Sequence, residues 1–291
     1  MEYLIVAVSF GLFIPGRLIR EARYGGLNVH PSFLPKYWGA SPIQHAILNG
    51  DETTGVVIQT LDPQKFDNGR ILAMSDPLYI RFYGSKRFPD GFIRSESEYR
   101  DLEARLAEIG SELLSTVITN GTYDPEVHLG LPKIETGEAS KRASKLPKEM
   151  SNIRFGEMKA IDAFRRSLVF EHLYCYRQTV EKKRKVCQRV NIGPFHMLRE
   201  EQYGFIKDVG PEKLWVPIPF TSGLPPKKYR KFESIALQVN QGEWVCAQYF
   251  TIEGKNRMDA DGWVKISPDH VRLLSDPAPI DDGSMDNISD K

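Results

Sequence analysis

Apolar residues in the first third of the chain come in short blocks. Tyr3 to Val8 is one, Leu27 to His30 a second, and Thr54 to Leu61, rich in β-branched residues, a third; all three read as strands. Gly69 to Ala73 resumes the pattern after a turn. Ile14 to Arg23 and Ile43 to Asn49 have helical character. Pro15 opens the first, where its missing N–H costs little, and Gly50 closes the second. Residues 79–95 read as an irregular excursion rich in Gly, Arg and aromatics. Beyond it, Leu102, Leu106, Ile109, Leu113 and Val117 line one face of a long helix, with Ser95 and Glu98 at capping-box spacing ahead of it. Strands alternating with helices predict a mostly parallel, doubly wound α/β sheet with helices on both faces.

The second half has a different texture. Residues 133–150 are polar and basic and read as a linker. Glu157 to Tyr176 reads as a helix, and Lys213 to Pro219, Phe232 to Val239 and Trp244 to Ile252 read as strands separated by Gly- and Pro-containing turns. The expected organisation is an α/β domain over 1–132, the linker, a small β-barrel-like domain over 151–275, and a disordered acidic tail over 276–291.

A length of 291 residues suits two domains. The three cysteines, Cys175, Cys187 and Cys246, are far apart and form no CxxC pair, which argues against a disulfide scaffold or zinc site and suits a reducing compartment. No run of 18 apolar residues occurs, so no membrane association is expected. The net charge of +1 conceals an asymmetry. Residues 1–138 hold 13 Lys+Arg against 18 Asp+Glu, and residues 139–275 hold 25 against 15. A basic second half fits either a polyanionic partner or a lysine-rich solvated surface.

Three polar residues stand out in the first domain. Asn28 and His30 are two apart on a strand, so they project to one face, at a strand end stopped by Pro31. In open α/β sheets the ligand crevice lies beyond such ends. Asp67 sits in the turn signal Phe66-Asp67-Asn68-Gly69. Taken singly, a histidine after a strand is more often a hydrogen-bonded structural residue, and Asp-Asn-Gly is more often only a turn.

Their surroundings change that reading. Residues 28–45 (NVHPSFLPKYWGASPIQH), 51–62 (DETTGVVIQTLD) and 66–72 (FDNGRIL) resemble, in order, the signature of the folate-dependent formyltransferases. Residues 143–164 and 242–265, with the Gly254-Lys255 pair and Trp263, resemble the bridge and C-terminal domain of the methionyl-tRNA formyltransferases within that family. The resemblance implies transfer of a formyl group from 10-formyltetrahydrofolate, as co-substrate, to the α-amino group of initiator methionyl-tRNA, with no metal. It implies a Rossmann-like catalytic domain, a monomer, and a mitochondrial location drawn from family biology. Asn28, His30 and Asp67 would be the catalytic trio, with Asn28 and protonated His30 donating to the oxyanion, and Ser32, Phe33, Leu34 and Pro35 the folate-contacting loop. The C-terminal domain would contact the tRNA, with Lys182, Lys183, Arg184 and Lys185 and Lys227, Lys228, Arg230 and Lys231 as phosphate-neutralising clusters. Alternatives are another folate-dependent formyltransferase acting on a nucleotide or sugar amine, or an inactive tRNA-binding fragment.

Departures from the pattern qualify the match. Phe33 replaces a leucine, Trp38 stands where an arginine precedes the glycine, Arg154-Phe155 replaces Asp-Trp, and residues 79–93 resemble an insertion. The chain opens at what reads as a middle strand, so the family's first strands, on the order of 60–100 residues, are expected to be missing. That loss would leave an apolar sheet edge exposed.

Overall fold

The computed structural model describes residues 3–80, 98–132, 134–170, 172–181, 184–210, 213–219, 232–267 and 272–277. They fall in two units, Met1–Pro147 and Lys148–Lys291. Ser95, most of the 79–95 excursion and nearly all of the acidic tail lie outside the described residues.

The first unit runs β1 (Ile5–Val8), α1 (Gly16–Glu21), β2 (Gly26–His30), β3 (Lys36–Trp38), α2 (Pro42–Asn49), β4 (Thr53–Thr54), β5 (Val57–Thr60), β6 (Ile71–Met74), β7 (Leu78–Tyr79), α3 (Glu98–Thr119), α4 (Pro125–His128) and β8 (Lys141–Arg142). Its main sheet has the order β1-β2-β5-β6. Only β1 and β2 are parallel; β2–β5 and β5–β6 are antiparallel. The mostly parallel sheet expected from the alternation is therefore a mixed one. Helix α1 returns the chain to the end from which β1 began, as a parallel crossover requires, whereas β5 and β6 are joined by a turn that reverses direction.

Alternation along β2 and β5 sorts the two faces. Leu27 and Ile58 are fully buried with Val117 of α3, and Val29 packs on the same cluster. Gly110 permits this approach, since a Cβ there would come within 2.8 Å of Val29 Cγ1. The residues between, Asn28, His30 and Gln59, point to the opposite face.

The second unit contains α5 (Ala160–Val169), β9 (Leu173–Glu181), β10 (Arg184–Met197), β11 (Trp215–Pro219), β12 (Phe232–Asn240), β13 (Glu243–Ile252), β14 (Met258–Asp259), α6 (Ala260–Ile266) and β15 (Arg272–Leu274). These strands form an antiparallel half-barrel in the order β11-β12-β13-β10-β9-β15, with β14 on β13. Phe164 and Leu168 of α5 are buried, and α5 packs against β10, β12 and β13. Trp263 of α6 stacks on Phe250 at 4.6 Å and meets Trp215 edge-on at 6.3 Å.

The helix expected to reach Tyr176 ends at Val169, because Phe170 turns extended (φ −103°, ψ 137°) and β9 begins at Leu173. Leu173, Cys175, Arg177 and Thr179 then face inward, in strand rather than helix period. Arg177 is 2% exposed and donates twice to Gln188 Oε1, at 3.0 and 2.6 Å. A charged residue in an inward position is what obscured the strand in the sequence.

His196 on β10 sits opposite Cys246 of β13. Burial, and secondarily Arg199, shifts its pKa from 6.5 down to about 4. The unfolded chain therefore takes up a proton near pH 6.5 that the folded chain refuses until about pH 4. Between those values stability should fall as pH falls, by at most about 1.4 kcal/mol per pH unit. Urea midpoints followed by tryptophan fluorescence against pH should show this slope, and His196→Leu should flatten it.

Candidate active site

The polar face of β2 and β5 meets a turn stabilised by its own side chains. Asp62 Oδ1 accepts from the backbone N–H of Gln64 and Lys65, and Asp62 Oδ2 accepts from Asn68 Nδ2 at 2.9 Å. The Asn68 bond, followed by the Gln64 backbone bond, holds the Asp62 carboxyl below its ordinary pKa. Gly69 lies against the Thr60 carbonyl so closely that a Cβ has no room. The turn places Asp67, in the left-handed region at φ 49°, back over the sheet.

There the Asp67 carboxylate collects donors from three segments. Oδ1 accepts from Asn28 Nδ2 at 3.1 Å and Gln59 Nε2 at 2.9 Å, and Oδ2 accepts from the Gly39 N–H at 2.7 Å. His30 Nδ1 stands 3.5 Å from Oδ1. Gln59 also ties the turn to the strand, its Oε1 accepting from the Gly69 N–H at 3.2 Å. Asn28, His30 and Asp67 are thus together, although 39 residues separate Asn28 from Asp67.

His30 is 4% exposed, and its Nε2 is 3.0 Å from the Tyr37 carbonyl oxygen. Burial lowers its pKa, opposed by Asp67 and by the Tyr37 carbonyl. Burial thus favours the neutral ring over the imidazolium. A carbonyl only accepts, so the neutral tautomer carries its proton on Nε2 and turns a bare Nδ1 toward Asp67.

Tyr37 is a bulky residue at φ 60°, an uncommon and strained conformation. Its side chain is 1% exposed, with the Lys36 and Lys141 ammonium groups 5.5 and 5.3 Å from the ring centre. Lys141 belongs to the stretch read as a linker, which here returns to the first unit. Thr136 Oγ1 donates to the Leu34 carbonyl at 2.6 Å, and β8 pairs with β3. Ala143 donates to the Trp38 carbonyl at 2.7 Å and accepts from the Ser41 N–H at 3.1 Å.

A cavity of about 570 Å³ opens on the trio. Phe10, Leu12, Phe13 and Phe66 supply aromatic and apolar lining, and Arg142 and Lys145 supply cations. Pro31, Trp38 and Gly39 line it, but Ser32, Phe33, Leu34 and Pro35 do not. Ser32 and Leu34 are buried, Ser32 Oγ donates to the Lys36 carbonyl, and Phe33 covers Gly55. These four residues shape the loop. Of the basic clusters, Lys182, Lys183, Lys227, Lys228, Arg230 and Lys231 lie outside the described residues; Arg184 and Lys185 begin β10, where Lys185 is exposed. Gln59, Gly39, the Tyr37 carbonyl and Arg142 were not anticipated. The one sequence signal for Gln59 was a polar residue interrupting the apolar block 54–61.

Residues 2–85 match the protein family described as formyl transferase. The putative methionyl-tRNA formyltransferase of Schizosaccharomyces pombe is 30% identical over 194 residues, 60% of this chain and 53% of the relative. The mitochondrial methionyl-tRNA formyltransferase of Saccharomyces cerevisiae is 34% identical over 186 residues, 62% of this chain and 45% of the relative. The chain thus spans about half the length of these curated relatives. Among solved structures, HypX from Aquifex aeolicus in complex with tetrahydrofolic acid superposes with a TM-score of 0.52 at 12% identity, covering 90% of this chain and 38% of that one; the likeness is one of fold. The similarity to the formyl transferase family is thus carried by residues 2–85.

Proposed function

We propose that the chain transfers the formyl group of 10-formyltetrahydrofolate to the α-amino group of initiator methionyl-tRNA, for translation initiation in mitochondria. The supporting observation is the convergence of Asn28, His30 and Asp67 on a cavity inside a formyl transferase domain. The acceptor and the compartment rest on relatives named as methionyl-tRNA formyltransferases, among them mitochondrial ones from yeast and human. The aromatic lining suits a flat pterin and aminobenzoate, and the polar end of the cavity suits a reacting carbonyl. The excess of 25 cationic over 15 anionic side chains in residues 139–275 suits a tRNA partner.

The hydrogen bonds support the following chemistry. The amine attacks the formyl carbon, a C–N bond forms, and the carbonyl oxygen becomes an oxyanion. Asn28, held by Asp67, is placed to donate an amide N–H to that oxygen. The amine's proton passes to His30 Nδ1, where Asp67 favours the imidazolium that forms, while Nε2–H stays on the Tyr37 carbonyl. Collapse of the adduct breaks the bond to the folate nitrogen, which takes the proton back from His30. Asp67 holds Asn28 throughout, and the Tyr37 carbonyl holds His30.

Formyl transfer to methionyl-tRNA by this chain, measured beside His30→Ala, tests the reading. The variant should lose about a hundredfold or more in rate. Transfer to a sugar or nucleotide amine but not to methionyl-tRNA would favour a different acceptor, and tRNA binding without transfer would favour a binding role. Because burial lowers the His30 pKa, the acid limb of kcat/KM should lie below pH 6.5. Asp67→Asn removes an interaction that raises that pKa, so it should move the limb to still lower pH as well as slow the reaction; a limb above pH 6.5 would be inconsistent with a buried neutral base.

Gln59→Leu probes the support of the turn. It deprives Asp67 of one donor and the Gly69 N–H of its acceptor. A cost of about 1–3 kcal/mol is expected in urea unfolding. A rate loss larger than that of an equally destabilising change in the Leu27–Ile58–Val117 core should accompany it.

A further inference from the structure

We propose that Arg142 is a substrate-positioning residue of this site, presenting a fixed guanidinium to an oxyanion of one of the two substrates. The proposal rests on the formyl-transfer reading. Three observations support it. Arg142 lies in register with Trp38 across the parallel β3–β8 pair, and its Cζ stands 5.2 Å from the centre of the indole ring. Both residues line the cavity that opens on Asn28, His30 and Asp67. Arg142 is exposed and has no carboxylate partner among the described residues, whereas Lys36, next to the paired Lys141, is neutralised by Asp51 at 3.1 Å and Glu138 at 3.4 Å.

The backbone explains why this cation is held in place. The Ala143 N–H donates to the Trp38 carbonyl, the Lys141 N–H donates to the Pro35 carbonyl at 3.2 Å, and the Lys141 ammonium donates to Asn49 Oδ1 at 2.8 Å. Gly39, at φ 120°, allows the strap to come so close, since a Cβ there would be 2.7 Å from the Ala143 carbonyl oxygen. The residues on either side of Arg142 are thus pinned, and its planar head rests on an aromatic face, as guanidinium groups prefer. A guanidinium beside the ring in this way keeps N–H groups available to phosphate or carboxylate oxygens. Two substrate groups offer that chemistry: a phosphodiester near the acceptor end of the tRNA, and the glutamate carboxylates of the folate.

Direct binding and turnover are compared for the full chain, Arg142→Leu, Arg142→Lys and Trp38→Leu. Filter binding of methionyl-tRNA and calorimetric binding of 5-formyltetrahydrofolate give the affinities. Arg142→Leu should weaken one ligand about tenfold and raise its KM more than it lowers kcat; Arg142→Lys should recover part of the loss, and Trp38→Leu should weaken the same ligand less. If the ligand is tRNA, the slope of log affinity against log salt should become shallower by about one. If only folate weakens, the carboxylate is the partner. Affinities for both ligands that stay within twofold of wild type in folded Arg142→Leu overturn the proposal, as does a wild-type chain that binds neither. A chain that binds but transfers no formyl group overturns the assigned reaction and leaves the Arg142 affinities to decide the role of the cation.

Discussion

The first unit is organised around the burial of one carboxylate. Asp67 has a side chain 8% exposed, and a bare carboxylate at that depth would cost several kcal/mol. It is tolerated because Asn28, Gln59 and the Gly39 N–H all donate to it, from β2, β5 and the loop after β3. That requirement fixes much else. β2 and β5 must pair in the register that sets Asn28 beside Gln59, the 61–70 turn must fold back, and Gly39 must turn its N–H inward. The catalytic reading of the trio and the structural reading of a satisfied polar cluster are in this sense compatible, since the bonds that hold Asp67 in place also hold Asn28 and keep the carboxylate 3.5 Å from His30 Nδ1.

Some of this was legible in the sequence. The two-residue spacing of Asn28 and His30 on a strand gave their common face, and Asp-Asn-Gly gave the turn. Gln59 was not, because its role depends on antiparallel register between segments about thirty residues apart, and neither register nor strand direction is written in a local pattern. The alternation suggested parallel strands for the same reason, since periodicity identifies a strand but not the end from which it is entered. In the second half, β9 was hidden because its inward row includes Arg177, which is buried through Gln188 on the neighbouring strand, a pairing visible only after folding.

The stretch 133–150 shows the limit of composition as a guide. Polar, basic and without periodicity, it has the look of a linker. Yet Thr136, Lys141 and Ala143 bind backbone or side-chain groups of residues 34–49, and Ala143 is fully buried. The reason lies in the loop it covers. Residues 31–41 include Tyr37 in a left-handed conformation that costs on the order of 1–3 kcal/mol. Such a conformation persists only if its surroundings over-determine it, and the strap supplies part of that determination through the Lys141 ammonium over the ring and the β3–β8 pairing.

Strain at Tyr37 and the state of His30 are then one problem. The twisted backbone is what directs the Tyr37 carbonyl at Nε2, and that carbonyl decides which ring nitrogen keeps the proton. Relaxing Tyr37 would release Nε2 and let the tautomer change, turning an N–H toward Asp67 and moving the ring's free lone pair from Nδ1 to Nε2. A segment with no chemistry of its own thus sets the chemistry of the histidine, through one backbone oxygen, and this gives a physical reason for a polar strap to pack where a disordered linker would have been cheaper in conformational entropy.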